Sequence, residues 1–253
     1  HHAVSEDIAM YLPRSLDLAF YSALMILIMG VLFGTVSALY KDTWIDNVIR
    51  FFTYLGVVTP PYAFAVFFLL VFSYKLRWFP IGGMPQIDES IVKTGALSLD
   101  ALLSGNIKTY FEVLKSMFLP CLSLSFGSIA YQARIHRSSM IENIGADYIA
   151  FAEVAGVSRR KLIMKHLMKP SFIPTLTVYG LQVAALLGNA FIIELIFRYP
   201  GFSHYSLNVI LNKDPYGIVA VTFVFGVIFA IINMFIDLGV SLLDPRIRLK
   251  GEE

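Results

Sequence analysis

Three acidic residues, Asp17, Glu194 and Asp237, stand at the edges of long apolar stretches in this 253-residue chain. Carboxylates inside a membrane invite proton-relay chemistry. These three lie where an apolar stretch ends and charge is cheap, which favours a structural role. Gln182 and Asn189 fall on one face of a helix; they either line a polar path or hydrogen-bond a neighbouring helix. His136 and His166 have no partners at ligand spacing, and the single Cys121 reads as a small buried apolar residue. No Ser/His/Asp set and no carboxylate pair suggests hydrolysis. No Gly-x-x-x-x-Gly-Lys-Ser/Thr stretch is present to cradle nucleotide phosphates, so the chain is not expected to hydrolyse ATP itself. The densest charged feature is Arg159-Arg160-Lys161, at the expected first turn of a helix. Cations there oppose the helix dipole by about 0.3–1 kcal/mol each, so an anionic neighbour, lipid phosphate or an acidic partner group, should face them.

The elements that position these residues follow from composition. Apolar residues make up 57 % of the chain, charged residues only 15 %, and the mean hydropathy is +0.69. An average soluble domain carries about 25 % charged residues. Disorder is excluded, and a net charge of +2 argues against a nucleic-acid partner. One Cys leaves no disulfide framework and no Cys-based zinc site. A charge at the centre of a membrane helix costs about 2.5–3.5 kcal/mol, so spans are sought as charge-free windows. Five are long enough: Leu18–Tyr40, Phe51–Tyr74, Ser116–Ala133, Pro170–Ile193 and Pro215–Ile236. Period-two alternation is absent, so these are helices rather than barrel strands.

Alternate connecting segments carry 12 Lys and Arg on one side and 8 on the other. The richer side, with the loop 134–169 and the C-terminus, is expected to be cytoplasmic. An odd number of spans then puts the N-terminus outside. With no signal peptide in residues 1–17, a further span is expected to precede this chain. Residues 1–17 read as an external segment, 18–253 as one transmembrane domain, and 75–115 as an external subdomain with short helices at Leu97–Leu103 and Tyr110–Leu114. Pro200-Gly201 reads as a turn before a half-helix at Tyr205–Leu211. Gly30 and Gly34 form a small-xxx-small packing pattern. Pro60-Pro61 marks a hinge or a helix start.

The loop 134–169 is too long for a connector. Ile141, Ile144, Tyr148, Ala152 and Ala155 recur at helical spacing. Gly156 interrupts, Ser158 is an expected N-cap, and a second helix carries Leu162, Ile163 and Leu167 until Pro170 ends it. The small residues Ala152, Ala155 and Gly156 suggest a docking knob that another protein's groove approaches closely.

At this loop the sequence is recognisable. Residues 146–160, ADYIAFAEVAGVSRR, with His166, Leu167 and Pro174, resemble the EAA loop of ABC importer permeases. Gly180-Leu-Gln182, Glu194-Leu-Ile-Phe197, Tyr199-Pro-Gly-Phe202, Lys213-Asp214 and Asp244-Pro-Arg-Ile-Arg248 resemble the dipeptide/oligopeptide/nickel branch, as do Leu12-Pro13, Thr59-Pro60 and Trp78-Phe-Pro80 with Gly82-Gly83. The last element suggests the B-type membrane subunit. Ala155 stands before Gly156 where the family usually has a basic residue.

The resemblance implies an all-α polytopic membrane protein with the type I ABC importer permease fold, in the cell (inner) membrane. It implies a permease subunit that imports di- or oligopeptides, or a related solute such as a nickel chelate or oligosaccharide. Implied partners are a homologous second permease subunit in a heterodimer, two cytoplasmic ATPase subunits that bind ATP and Mg, an external substrate-binding protein, and membrane lipid. No cofactor is implied for this chain. By the same resemblance the coupling helix docks on the ATPase through Asp147, Tyr148, Ala152, Glu153, Ala155, Gly156, Val157, Ser158 and Arg159, and Glu194 matches a position near the external gate; Gln182 and Asn189, from their spacing, either line the path or bond a neighbouring helix. The rivals are a secondary transporter, which needs mid-span acids and internal repeats, and an intramembrane enzyme, which needs a nucleophile or ligand cluster inside the spans.

Overall fold

Residues 4–85 and 92–243 are described in a computed structural model. They form helices and turns, with no strand among the described residues. In chain order the helices are α1 Val4–Leu39, α2 Trp44–Val58, α3 Pro61–Phe68, α4 Leu97–Leu103, α5 Ile107–Ile144, α6 Asp147–Val154, α7 Arg159–Lys161, α8 Met168–Ile196, α9 Phe202–Leu211 and α10 Pro215–Leu243. Among the described residues four stretches are long and apolar enough to cross a membrane: Ser5–Leu39, Ile107–Ile144, Arg159–Ile196 and Pro215–Phe235.

The expected second span is not one helix. Thr59 and Pro60 each precede a proline, which pushes a residue out of the helical region. Both are extended, with φ/ψ of −89°/128° and −62°/147°. Helix α2 therefore stops at Val58, and α3 restarts with Pro61 at its first position, where a missing N–H costs nothing. A fifth span exists only if Trp44–Val58 and Pro61–Lys75 are counted together.

Other boundaries differ from the sequence expectation because helices ignore the hydropathy edge once their own hydrogen bonds are made. Residues 4–17 are not a separate segment but the first turns of α1. The Tyr110–Leu114 helix is part of α5, which also continues past Ala133 to Ile144. Pro170 does not end a helix. π-helical turns at Leu162–Leu167 run into α8, and Pro170 and Pro174 sit in its first turns. The wider register falls just before two prolines that cannot donate to the carbonyls of His166 and Pro170. By contrast α4 covers Leu97–Leu103 as its pattern predicts.

The chain divides into two compact units. One comprises His1–Leu24, Pro60–Phe126 and Ala185–Ile231; the other comprises Met25–Thr59, Gly127–Ala184 and Ile232–Glu253. In the first, Phe64 and Phe126 pack with ring centroids 4.4 Å apart and Phe79 stacks on Phe118 at 5.0 Å. In the second, Gly30 and Gly34 let α1 approach α5. A Cβ at Gly30 would stand 2.5 Å from Gln132 Cγ, and one at Gly34 2.8 Å from the Ala133 carbonyl. Backbone cannot swing aside as a side-chain end can. Gly34→Ala is therefore expected to cost about 1–3 kcal/mol, read as a lower unfolding midpoint in mixed micelles; an unchanged midpoint would refute close packing there.

Candidate functional site

The docking segment is α6 and the turns around it, in the second unit. Helix α6 starts after Ala146, whose backbone is extended, and Asp147 places a carboxylate in its first turn, where it complements the dipole. The helix ends in a Schellman motif. Val157 N–H donates to the Ala152 carbonyl (3.1 Å), Gly156 N–H donates to Glu153 (3.0 Å), and Gly156 has φ +76°. That left-handed backbone is why a glycine stands here.

The face that α6 buries is narrower than the spacing suggested. Ile149 and Ala152 pack with Ala38, Met140, Leu162 and Leu167. Tyr148 and Ala155 are exposed, while Ala152, expected at the docking surface with them, is buried. Asp147, Glu153, Gly156, Ser158 and Arg159 are exposed, and Val157 is half-buried. Ser158 occupies the N-cap position of α7 without a side-chain capping bond. The pattern also missed two side chains. Phe151 is 77 % and Val154 90 % exposed, one helical turn apart, so a short helix held on a buried base presents an apolar face with charged neighbours. A period-3.6 reading assigns every apolar residue to the core, and α6 is too short to reveal that it has two apolar sides.

The acids at the span ends do a different job. Asp17 accepts from Ser98 N–H (2.9 Å) and the Ser98 hydroxyl (2.5 Å), capping the first turn of α4. Glu194, 1 % exposed, does the same for α9. Its Oε2 accepts from Ser203 N–H (3.0 Å), and its Oε1 accepts from the Ser15 hydroxyl (2.5 Å), whose oxygen in turn accepts from Phe202 N–H (2.7 Å). The N-cap residue is Gly201, and a Cβ there would meet the Glu194 carboxylate at 2.5–2.6 Å. The glycine of the Pro200-Gly201 turn is thus required for space, so that a remote carboxylate can cap the helix. Beside it Tyr199 donates to the Arg14 carbonyl (2.9 Å), and burial pushes its phenol well above the ordinary tyrosine range. Asp214 caps α10, accepting from Tyr216 and Gly217 N–H, with Pro215 at the first helical position. The Asp237 side chain and Asp244–Arg248 lie outside what is described.

Of the two path candidates, Gln182 accepts from the Ser128 hydroxyl (2.7 Å), bonding α8 to α5, and Asn189 is exposed. His136 is fully buried. Thr175 gives its proton to the Ser171 carbonyl (2.7 Å), so in a neutral ring His136 Nδ1–H donates to Thr175 Oγ1 (2.9 Å) and Nε2 accepts from Thr35 (3.0 Å). No group of three or more metal-ligating side chains occurs among the described residues. Sequence reading also missed a buried ion pair: Arg137 donates from Nε and Nη2 to Asp46 at 2.8 and 2.6 Å. Nothing in the spacing of residues 46 and 137 announces it.

Residues 30–249 match the family described as binding-protein-dependent transport system inner membrane component. The chain belongs to that family. It is 35 % identical over 246 residues to the dipeptide transport system permease protein DppB of Alkalihalophilus pseudofirmus, covering 97 % of this chain and 74 % of that one. It is 31 % identical to the probable D,D-dipeptide transport system permease protein DdpB of Escherichia coli, covering 99 % and 74 %. A solved amino acid ABC transporter chain has the same fold, with a TM-score of 0.60 at 15 % identity over 94 % of each chain. This transport-system membrane component is therefore all-helical with several apolar spans, as its composition and motifs led one to expect.

Proposed function

We propose that the chain is the permease subunit of an ATP-driven peptide importer and that α6 with residues 155–159 is its coupling element. The observation that carries this is the exposed Phe151–Val154 face on a helix whose other side is anchored. Exposed apolar groups of this size, ringed by Asp147, Glu153 and Arg159, are what a buried interface needs at its centre. Tyr148, Ala155, Gly156, Val157 and Ser158 form its rim, and Ala152 is the footing.

The occupant is a cytoplasmic ATPase subunit, one of two. ATP and Mg belong to those subunits, and their hydrolysis supplies the stroke. A push on α6 passes through Ile149 and Ala152 to Ala38 on α1, Met140 on α5 and the Leu162–Leu167 turns that lead into α8. Packed cores are bistable rather than continuously deformable, so such a push favours one of two arrangements. The loop and C-terminus are cytoplasmic, following the Lys/Arg bias. A homologous second permease subunit and an external binding protein complete the system. The relatives' names support peptides as the solute. Asn189 is the candidate for the path; Gln182 bonds α8 to α5, and Glu194 caps α9.

The test is co-purification with F151D/V154D. Neither side chain is part of the buried cluster, so the fold should persist. Central interface residues are worth about 2 kcal/mol or more each, so recovery of the ATPase subunit should fall by at least about tenfold, with uptake of a labelled dipeptide. Undiminished recovery would overturn the docking assignment. Solute accumulation by the purified chain alone on a proton or sodium gradient would favour the secondary-transporter reading.

A further inference from the structure

Three arginines converge on one cleft in the second unit. Arg50, Arg134 and Arg137 line it with the hydroxyl-bearing Ser37, Thr53 and Tyr54, around a volume of about 90 Å³. That is room for a small oxyanion and its first waters.

The charges do not balance. Asp46 is taken up by Arg137, Ser37 and the Asp42 N–H, and Arg137 spends Nε and Nη2 on it and keeps Nη1 outside that pair. Arg50 shares the cleft lining with Tyr54, and no carboxylate is in ion-pair contact with it among the described residues. Arg134 lies with its guanidinium carbon 5.0 Å from the Tyr131 ring centroid, an arrangement that uses the face of the cation and leaves its N–H edges for an acceptor. Among the described residues neither Arg50 nor Arg134 is ion-paired. Several arginine forks around a small cleft match a tetrahedral oxyanion.

Depth identifies its source. Arg134 follows the last residue of one charge-free window, Arg50 precedes the first residue of another, and Ser37 lies three residues before the end of a third. The cleft thus sits where three apolar stretches meet polar sequence, the level of lipid headgroups. Directly after Arg50, the side chains of Phe51, Phe52 and Leu55 are 59, 54 and 42 % exposed, an apolar surface suited to acyl chains. We propose that this cleft binds the phosphate of an anionic membrane lipid.

The experiment titrates dioleoyl-phosphatidylglycerol, dioleoyl-phosphatidylcholine and inorganic phosphate into the full-length protein, purified in mild detergent with the subunits that accompany it. Retained lipid is read by native mass spectrometry and the unfolding midpoint by thermal scan. Phosphatidylglycerol is expected to be retained and protective well beyond phosphatidylcholine, with R50Q/R134Q weakening its binding about thirtyfold while phosphatidylcholine retention stays the same. Arg137 is left in place so that Asp46 keeps its partner. If the double variant does not fold, R134Q, which alters an exposed side chain, and the wild-type comparison of the two lipids decide. Equal retention of both lipids by the wild type, or equal phosphatidylglycerol retention by wild type and R134Q, overturns the proposal. So does protection by inorganic phosphate without protection by phosphatidylglycerol, which would make the cleft a site for a soluble anion.

Discussion

Arg137→Ala is expected to lower stability by about 3 kcal/mol, because it strands a buried carboxylate. Asp46 is fully buried, and its oxygens take four bonds: from Ser37 (2.5 Å), Arg137 Nε (2.8 Å), Arg137 Nη2 (2.6 Å) and Asp42 N–H (3.1 Å). The substitution leaves the two neutral donors and removes the cation that Asp46 contacts among the described residues. The pair ties the start of α2 to α5, and Ser37 adds the end of α1, next to Ala38 in the cluster that supports α6. Loss of the pair should therefore loosen the docking segment as well as lower the unfolding midpoint in detergent. D46N/R137Q should recover much of the loss, since no unpaired buried charge remains. A single variant as stable as wild type, or a double variant no better than the single, would show that the pair holds little.

The second large effect is expected at Glu194. Glu194→Ala leaves Ser203 N–H and the Ser15 hydroxyl without an acceptor, both within the buried base of α9. Loss of a cap costs about 0.5–2 kcal/mol and each stranded buried group about 1–3 kcal/mol, so about 2–4 kcal/mol in total is expected, with α9 detaching first. Glu194→Gln keeps a carbonyl oxygen for Ser203 N–H and an amide that donates to the Ser15 oxygen, so it should hold most of the stability. Protease sensitivity at 198–214 reads the local loss, and dipeptide uptake reads function. If E194Q folds as wild type but stops uptake, the carboxylate works in the path itself, and its capping role is secondary.

These two residues show where sequence reading stops. Glu194 was visible as a carboxylate at a span edge and as a match to a family position, yet its job depends on Ser15, 179 residues away, and on a glycine that clears the space. Nothing in the sequence pairs Asp46 with Arg137, because two residues 91 positions apart leave no periodic trace. The glycine and the motif locate the α6 segment, but the burial of Ala152 and the exposure of Phe151 and Val154 are not legible in them. Eight residues give barely two turns, and burial there is set by Ala38, Met140 and Leu162 from other parts of the chain.

What the sequence determined alone was everything that local chemistry enforces. The absence of charge over 18 or more residues demands helices in an apolar phase, since only a helix satisfies its own backbone there. Two consecutive prolines demand a break at residues 59–61, and Gly156 after a helical pattern marks a helix end. Motif order along nearly the whole chain named the family. Tertiary structure decided which polar groups meet: carboxylates capping helices remote in sequence, an arginine closing on a buried aspartate, an apolar face left uncovered. Those outcomes depend on distances between segments far apart in the chain, and a linear pattern carries no record of distance across space.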